Sequence, residues 1–235
     1  GLGASESMRS KLAEYNDPRL SRAFITKQGA SGKEQAPGTA DNAVYAPNGS
    51  PEQGTSKYGT SLFMYSISAP TLLLSYHELK FLEAEALCRL GRDAKSALKD
   101  AVVAGLLNAE SSFSVSRKEL GKDLINPAAS ITEAEAESYF DNTVEAKYTA
   151  EPLKTTMTQK YFALWGASGE ATESYNDVRR MKGLGENFIE LKNPNSFPLR
   201  CPYGNSDTTT NAEVKAAYGN GQYVYSENVW WAGGS

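Results

Sequence analysis

A mostly α-helical fold, built of tetratricopeptide-like hairpins in an α-α superhelix with long irregular loops, is what this sequence predicts. Three observations carry the prediction. Two helical blocks open on capping boxes, one of them fits a helix–turn–helix unit of about 34 residues, and the flanking stretches are rich in glycine, serine and proline. The chain reads as a single domain over 1–235, with a loop-rich segment over 1–74, helical hairpins over 75–182 and an irregular C-terminal wrap over 183–235.

The first hairpin runs from Ser75 to about Leu107. Ser75 and Glu78 form a box in which the hydroxyl accepts from the Glu78 amide and the carboxylate reaches back to the Ser75 amide. Leu79, Leu82, Ala86, Leu87 and Leu90 then recur at a spacing that stacks them on one face, predicted to turn inward, while Glu83, Glu85 and Arg89 fall mainly elsewhere. Gly91 stops the helix, because glycine enters the left-handed conformation without a Cβ penalty. Asp93 is the predicted cap of the partner helix, whose face is Ala94, Ala97, Leu98, Ala101, Val102 and Gly105.

One hairpin needs a neighbour to cover its apolar face. The second block supplies it, opening on Thr132 and Glu135 and sending Ala136, Tyr139, Phe140 and Val144 inward. Pro152 suits the first position of the next helix, where its missing amide proton has no partner to lose. Leu153, Met157, Tyr161 and Leu164 continue that helix until Gly166 and Gly169. A shorter helix spans 170–181, with Ala171, Tyr175 and Val178 on one side and Arg179 and Arg180 at the end, where cations oppose the helix dipole.

Composition narrows the function. At 235 residues the chain is long enough to bury about 70–75% of its unfolded surface. Twenty-four basic against 28 acidic residues give a net charge of −4, and without a basic run nucleic acid is excluded as a partner. Cys88 and Cys201 lack metal-site spacing and read as two buried free thiols, with a disulfide as the alternative. No segment approaches the ~18 apolar residues of a membrane span. The start carries no initiator methionine, which suggests a fragment whose export segment was removed.

Catalytic chemistry is sparse. The single histidine, His77, sits beside a capping box and reads as structural. Gly183–Gly185 follows a helix and not a strand, so it is a turn and not a nucleotide fingerprint. Glu133, Glu135 and Glu137 read as first-turn acids. No catalytic residue, metal ligand or cofactor is assigned. Aromatic side chains among 13 tyrosines offer stacking surfaces for sugar rings. The candidate ligand-binding residues are Tyr45, Asn48, Tyr58 and Tyr65, all in the long loop region before the hairpin. The tail after Lys192, with Pro194, Pro198 and Pro202, reads as ordered wrapping, since adjacent Trp230 and Trp231 in water would expose a large apolar area.

Several segments resemble a known family in their order. Asn16-Asp17-Pro18-Arg19-Leu20, Tyr45-Ala46-Pro47-Asn48-Gly49, the helix Tyr76 to Ala86, Gln159-Lys160-Tyr161-Phe162-Ala163-Leu164, Tyr175 to Arg180, Pro198-Leu199-Arg200-Cys201-Pro202-Tyr203, Asn211 and Val229-Trp230-Trp231 are similar to motifs of the SusD/RagB outer-membrane nutrient-binding lipoproteins, in the second-type SusD-like branch. Val178 stands where that family often has tryptophan, and Gly204 where it often has proline. The resemblance implies the C-terminal half of a binding protein, not an enzyme. It also implies a cell-surface place on the outer membrane through an N-terminal lipid anchor absent from this chain. The implied partners are an oligosaccharide or peptide ligand and a SusC-like TonB-dependent transporter. A tetratricopeptide-type protein-interaction scaffold and a helical glycoside hydrolase are the alternatives, the second needing two carboxylates across a cleft.

Overall fold

Helix α6 (Pro152–Leu164) packs against the helical hairpin and against the helices that precede and follow it. The structure, a computed structural model, describes residues 4–28, 34–38, 43–48, 58–192, 197–219 and 223–234. Gly1, Gly49 and Pro194, used in the sequence reading, lie outside these residues, as does the side chain of Trp231. The chain forms two compact units, Gly1–Lys192 and Asn193–Ser235.

In the first unit, α1 (Glu6–Glu14) leads into a turn and then a small antiparallel sheet of β1 (Phe24–Gln28), β2 (Glu34–Pro37) and β3 (Thr60–Ser61), in the order β2-β1-β3. Ile25 faces Pro37 on one side and Thr60 on the other. This sheet lies in the stretch read from sequence as loop. Phe24 and Ile25 bury fully, and their local apolar run is too short to declare a strand without its partners.

The hairpin follows as α2 (Tyr76–Arg89) and α3 (Lys95–Leu120). Ser75 accepts from the Glu78 amide at 3.1 Å as expected, but the Ser75 amide donates to Glu170 and not to Glu78. Gly91 takes φ +67° and closes the helix, with the Arg92 amide bonded to the Leu87 carbonyl at 2.9 Å. Asp93 accepts from the Lys95 amide at 3.0 Å, while Ala94 stands at the cap position. The small face of α3 buries as predicted. At Gly105 an added Cβ would lie 2.9 Å from the Ala163 Cβ, so the bare backbone is what lets α3 approach α6.

The second block is α4 (Glu133–Tyr139), a π-helical turn over Phe140–Val144, and α5 (Glu145–Ala150). Thr132 caps it at 3.2 Å, and Ala136, Tyr139, Phe140 and Val144 all bury. The Glu135 carboxylate pairs with Arg22 at 2.9 Å instead of completing its box. Pro152 opens α6 as expected, and α7 (Ala171–Gly183) follows. Along α7 only Val178 and Met181 bury, while Tyr175 and Ala171 are exposed, which corrects the predicted face.

Helix α2 corrects the sequence reading most sharply. Its buried side is His77, Glu78, Phe81, Ala84 and Glu85, whereas Leu79, Leu82 and Leu90 are 52%, 41% and 68% exposed. Glu85 turns inward because cations await it. Arg89 binds it at 2.6 Å and Arg180 of α7 grips both its oxygens at 2.5 and 2.8 Å. Burial alone would raise the Glu85 pKa, but these two guanidinium groups outweigh it and hold the carboxyl below its usual range. Arg180 therefore staples α7 to α2 and does more than oppose a helix dipole. Buried Lys160 of α6 joins the network through Asp177 at 2.7 Å.

The turn after α1 is held by a second buried charge pair. Asp17 accepts from the Arg19 amide, Nε and Nη2 at 2.9, 2.8 and 2.6 Å, and Arg19 Nη1 donates to the Phe162 carbonyl at 2.7 Å. Burial disfavours the guanidinium charge, yet the Asp17 carboxylate more than compensates and raises the Arg19 pKa.

The second unit contains α8 (Asn205–Thr210) and α9 (Ala212–Tyr218), short helices that the prolines permit. Asn211 caps α9, accepting from Glu213 and Val214, and the Tyr203 and Tyr218 rings stack at 4.3 Å. Trp230 is 80% exposed, contrary to the burial expected of it. Both cysteines are free, and Cys201 is exposed where a buried thiol was expected.

Two stability predictions follow from the buried charges. Asp17→Ala leaves the Arg19 guanidinium buried and unpaired and is expected to cost about 3–5 kcal/mol, read as a lower urea midpoint; a paired Asp17→Leu/Arg19→Leu change recovers part of that loss. Glu78 is pushed from its ordinary 4.5 up to about 7, first by burial and then by the Glu170 carboxyl beside it, with Lys160 opposing and Glu173 reinforcing the shift. Its favourable contribution is therefore complete below pH 4.5 and lost as pH rises through about 7. His77, lowered by burial from 6.5, works in the opposite sense, with its contribution lost as pH falls. Glu78→Gln is expected to gain melting temperature relative to the parent progressively between pH 4.5 and about 7, measured by thermal melts across that range.

Candidate functional site

The loop region and α1 are knitted into one surface by main-chain bonds. The Ala4 amide donates to the Gly59 carbonyl, the Gly59 amide to Val44, the Ala46 amide to Ala4, and the Glu6 amide to Ala46, at 2.7 to 3.0 Å. Segments distant in sequence, 44–48 and 58–60, thereby flank the N-terminus of α1.

Asn48 is exposed at the rim of this surface. Its Oδ1 accepts from the Ser5 hydroxyl at 3.0 Å and the Ser7 amide at 3.3 Å, while the Ser5 hydroxyl accepts from the Met8 amide at 3.3 Å. Tyr45 is half-buried, edge-on to Phe24 with centroids 5.2 Å apart, and the Arg9 guanidinium lies 5.7 Å from its ring centroid. Burial pushes its phenol pKa up. Tyr58 is 8% exposed. Tyr65 lies farther along, in the 3₁₀ turn Leu62–Tyr65 packed on α3, where the Ser116 hydroxyl donates to the Leu62 carbonyl. The fold thus gathers Tyr45, Asn48 and Tyr58 near the α1 N-terminus and sets Tyr65 apart in a core-facing turn. Phe24, Trp165, Phe63 and Phe113 carry an aromatic chain from the sheet into the helices.

Beside Asn48 opens a cleft of about 540 Å³. One wall is a face of α1, where Ser7, Ser10, Lys11 and Glu14 fall at the spacing that aligns side chains along a helix, opposite buried Met8 and Leu12. Glu190 and Lys192 form the other wall, and Pro47 and Asn48 one end. Lys11 Nζ donates to the Glu190 carbonyl at 3.0 Å, and burial lowers its pKa more than nearby Glu190 raises it. Glu190 is held below the usual carboxylate range by its bond to Lys192 at 2.8 Å. Sequence reasoning did not select these α1 and 190–192 residues. The polar spacing on α1 was a legible signal, but its opposite wall comes from far along the chain, Glu190 lying 179 residues from Lys11.

This arrangement can hydrogen-bond a polyhydroxylated or peptide ligand through ammonium donors, hydroxyls, an amide and carboxylate acceptors. Among the described residues, Ser75, His77 and Glu170 lie together but not in the geometry of a hydrolytic triad. Ser75 Oγ and Glu170 Oε2 lie 3.2 and 3.6 Å from the same ring atom, His77 Nε2, whereas a relay uses the two ring nitrogens in turn. Ser75 Oγ is also engaged in capping α2. Glu83 pairs with Lys80, Glu85 is locked by two arginines, and Glu133 and Glu137 are open to solvent. Among the described residues no group of three or more His, Cys, Asp or Glu side chains is placed to hold a metal ion, and no helix is long and apolar enough to cross a membrane.

A family model described as SusD-like, "Starch-binding associating with outer membrane", matches residues 2–203. Among solved structures, a SusD/RagB family protein from Bacteroides thetaiotaomicron is similar at 65% identity and a TM-score of 0.89, over 99% of this chain and 50% of that one. A SusD homologue from Bacteroides fragilis aligns at 17% identity and a TM-score of 0.62, over 98% of this chain and 51% of its own. An outer-membrane protein from Bacteroides vulgatus, described as involved in nutrient binding, aligns at 22% identity and a TM-score of 0.59, over 96% and 50%. These last two show likeness of fold. No curated protein matches. The chain spans about half the length of the solved structures it resembles. With its ordered motifs, its helical hairpin and these likenesses together, the chain belongs to the SusD-like family of starch-binding, outer-membrane-associated proteins.

Proposed function

We propose that this chain is the ligand-binding part of a cell-surface nutrient receptor, one that captures oligosaccharides for import through a SusC-like TonB-dependent transporter and is held to the outer membrane by a lipid anchor outside this chain. The observation that carries the reading is the polar cleft beside Asn48, whose walls set hydroxyl and ammonium donors beside carboxylate acceptors in close array. Family membership gives the ligand class to try first, the starch oligosaccharides of the family description. Of the four candidates, Asn48 lines the cleft, Tyr45 and Tyr58 stand behind it near the α1 N-terminus, and Tyr65, set apart in its turn, falls outside the proposed site. The exposed Asn48 amide is its accessible member, while half-buried Tyr45, its ring flanked by Arg9, and buried Tyr58 support the loop from beneath.

Calorimetric titration with maltoheptaose tests the proposal. Lys11→Ala is expected to weaken binding about tenfold, the loss of one charge-assisted hydrogen bond. Asn48→Ala is expected to weaken binding similarly and to cost about 1 kcal/mol of stability through loss of the acceptor for the Ser7 amide and the Ser5 hydroxyl, Ser5 still capping α1. Tyr58→Ala serves as the structural control, with an expected loss of about 3–5 kcal/mol in a urea melt. Release of reducing ends from the oligosaccharide would favour a hydrolase, and unchanged affinity in both cleft variants would remove the cleft from the site.

A further inference from the structure

Two buried carboxyls meet at the start of α2 and compete for one backbone donor. In an ordinary capping box the Glu78 carboxylate would accept from the Ser75 amide, but that amide donates to Glu170 Oε1 instead. Glu78 is thereby left buried beside Glu170, which is 1% exposed, with the two side chains in hydrogen-bonding reach of each other. Glu170 Oε2 is buried and meets no donor. His77 Nε2, at 3.6 Å, is too far to serve and already faces the Ser75 hydroxyl at 3.2 Å.

Two carboxylates this close and out of water repel, and a buried acceptor without a donor is costly. One proton answers both problems: carried on Glu78, it lets an O–H donate to the Glu170 carboxylate. The other charges around the pair do not replace it. Lys160 of α6 is engaged by Asp177 at 2.7 Å, Arg19 in the turn after α1 is engaged by Asp17 at 2.6 Å, and Glu173 of α7 adds negative charge. His77 is neutral near pH 7, because burial lowers its pKa from 6.5 against the pull of Glu170 and with the push of Arg19.

The pair sits where a strap closes. Residues 72–75 lead into α2 and lie along the turn before α7, to which the Leu72 amide donates at the Ser168 carbonyl, 2.7 Å away, and the Ser75 amide at Glu170. Gly169 takes φ +90°, and a Cβ there would lie 2.1 Å from the Leu72 carbonyl oxygen, so strap and turn meet backbone to backbone. Leu73 and Leu74, between the two bonds, are exposed and add little burial to hold the strap down. We propose that Glu78 and Glu170 form a proton-operated latch: with the proton between them the 72–75 strap is held to the 168–170 turn, and when the proton leaves to solvent the two carboxylates move apart and the strap lifts. Glu78 is set in α2 and Glu170 in a turn, so the turn side yields. Glu78, raised from 4.5 to about 7, keeps its proton on the acid side of that value and loses it above, so the latch is closed below about pH 7 and opens as pH rises through it. The device does not depend on whether the cleft at Asn48 holds sugar.

Amide hydrogen exchange of Leu72 and Ser75, read by nuclear magnetic resonance on the 235-residue chain and corrected for the intrinsic pH dependence of exchange, tests the latch. Between about pH 6 and about pH 8.5 the protection of both amides is expected to fall about tenfold, the excess of protonated over ionised Glu78 one pH unit below its pKa. In Glu78→Gln the side-chain amide donates to Glu170 at every pH, and protection is expected to hold within about twofold over the same range. Core amides of α3, at Val102 and Leu106, should keep their protection throughout in both proteins. Unchanged protection of Leu72 and Ser75 in the parent overturns the proposal, as does an equal fall in Glu78→Gln. A parallel fall at Val102 and Leu106 also overturns it, since the proton would then stabilise the whole unit and not the strap. A carbon-13 titration of the Glu78 carboxyl in the parent needs no variant: a midpoint near 7 supports the latch, and one near the ordinary 4.5 removes it.

Discussion

The Asp17–Arg19 pair is the constraint on which the larger unit depends. A carboxylate and a guanidinium removed from water cost several kcal/mol each unless their hydrogen bonds are met, and here three go between the two residues and a fourth to the Phe162 carbonyl. That last bond fixes the turn after α1 to the central helix α6. The Tyr15 ring, edge-on to Phe162 at 5.3 Å, closes the same junction from the apolar side. With the turn fixed, α1 has one direction to run, and its polar face is set along the cleft. Geometry at the candidate site thus depends on a buried charge pair in the turn just beyond the C-terminal end of α1.

A second, partly buried network determines how the hairpin sits. Glu186, Arg89, Glu85, Arg180, Asp177 and Lys160 form a chain of ion pairs that runs from the segment after α7 through α2 to α6. Such a network is specific more than it is strongly stabilising, because desolvation consumes much of the Coulomb gain. Its structural effect is to rotate α2 so that acids face the core and leucines face out. The rotation that satisfies Glu85 is the same one that exposes Leu79, Leu82 and Leu90.

Function follows from what these constraints leave free. Several residues with perturbed titration, Glu78, Glu85, Arg19 and His77, are consumed in holding the turn and helices together, with their partners Glu170, Arg89, Arg180 and Asp17 supplied by the protein itself. Perturbed titration is often a mark of catalysis, but ion-pair networks of structural purpose produce it equally. The groups left for a ligand are at the surface near α1 and the 44–48 loop, as suits capture and release: exchangeable hydrogen bonds on a rigid support.

Much of this chain's local structure was legible in its sequence. The caps at Ser75 and Thr132, the glycine stop at Gly91, the helix start at Pro152 and the small-residue face of α3 depend on contacts within about four residues or on a face of uniform character, so they read directly from spacing. Ordered motifs likewise pointed to the family. Tertiary structure decided the rest. Leu79, Leu82 and Leu90 looked inward by hydrophobicity, and only Arg180, 95 residues from Glu85, shows why the opposite face is buried. The sheet around Phe24 exists because β2 and β3 arrive from either side, and Lys160 can be interior because Asp177 meets it. The cleft joins α1 to residues 190–192. A side chain's nearest neighbours in sequence set whether a helix forms and where it ends, but which way it faces and what it lines are set by partners the local pattern does not contain.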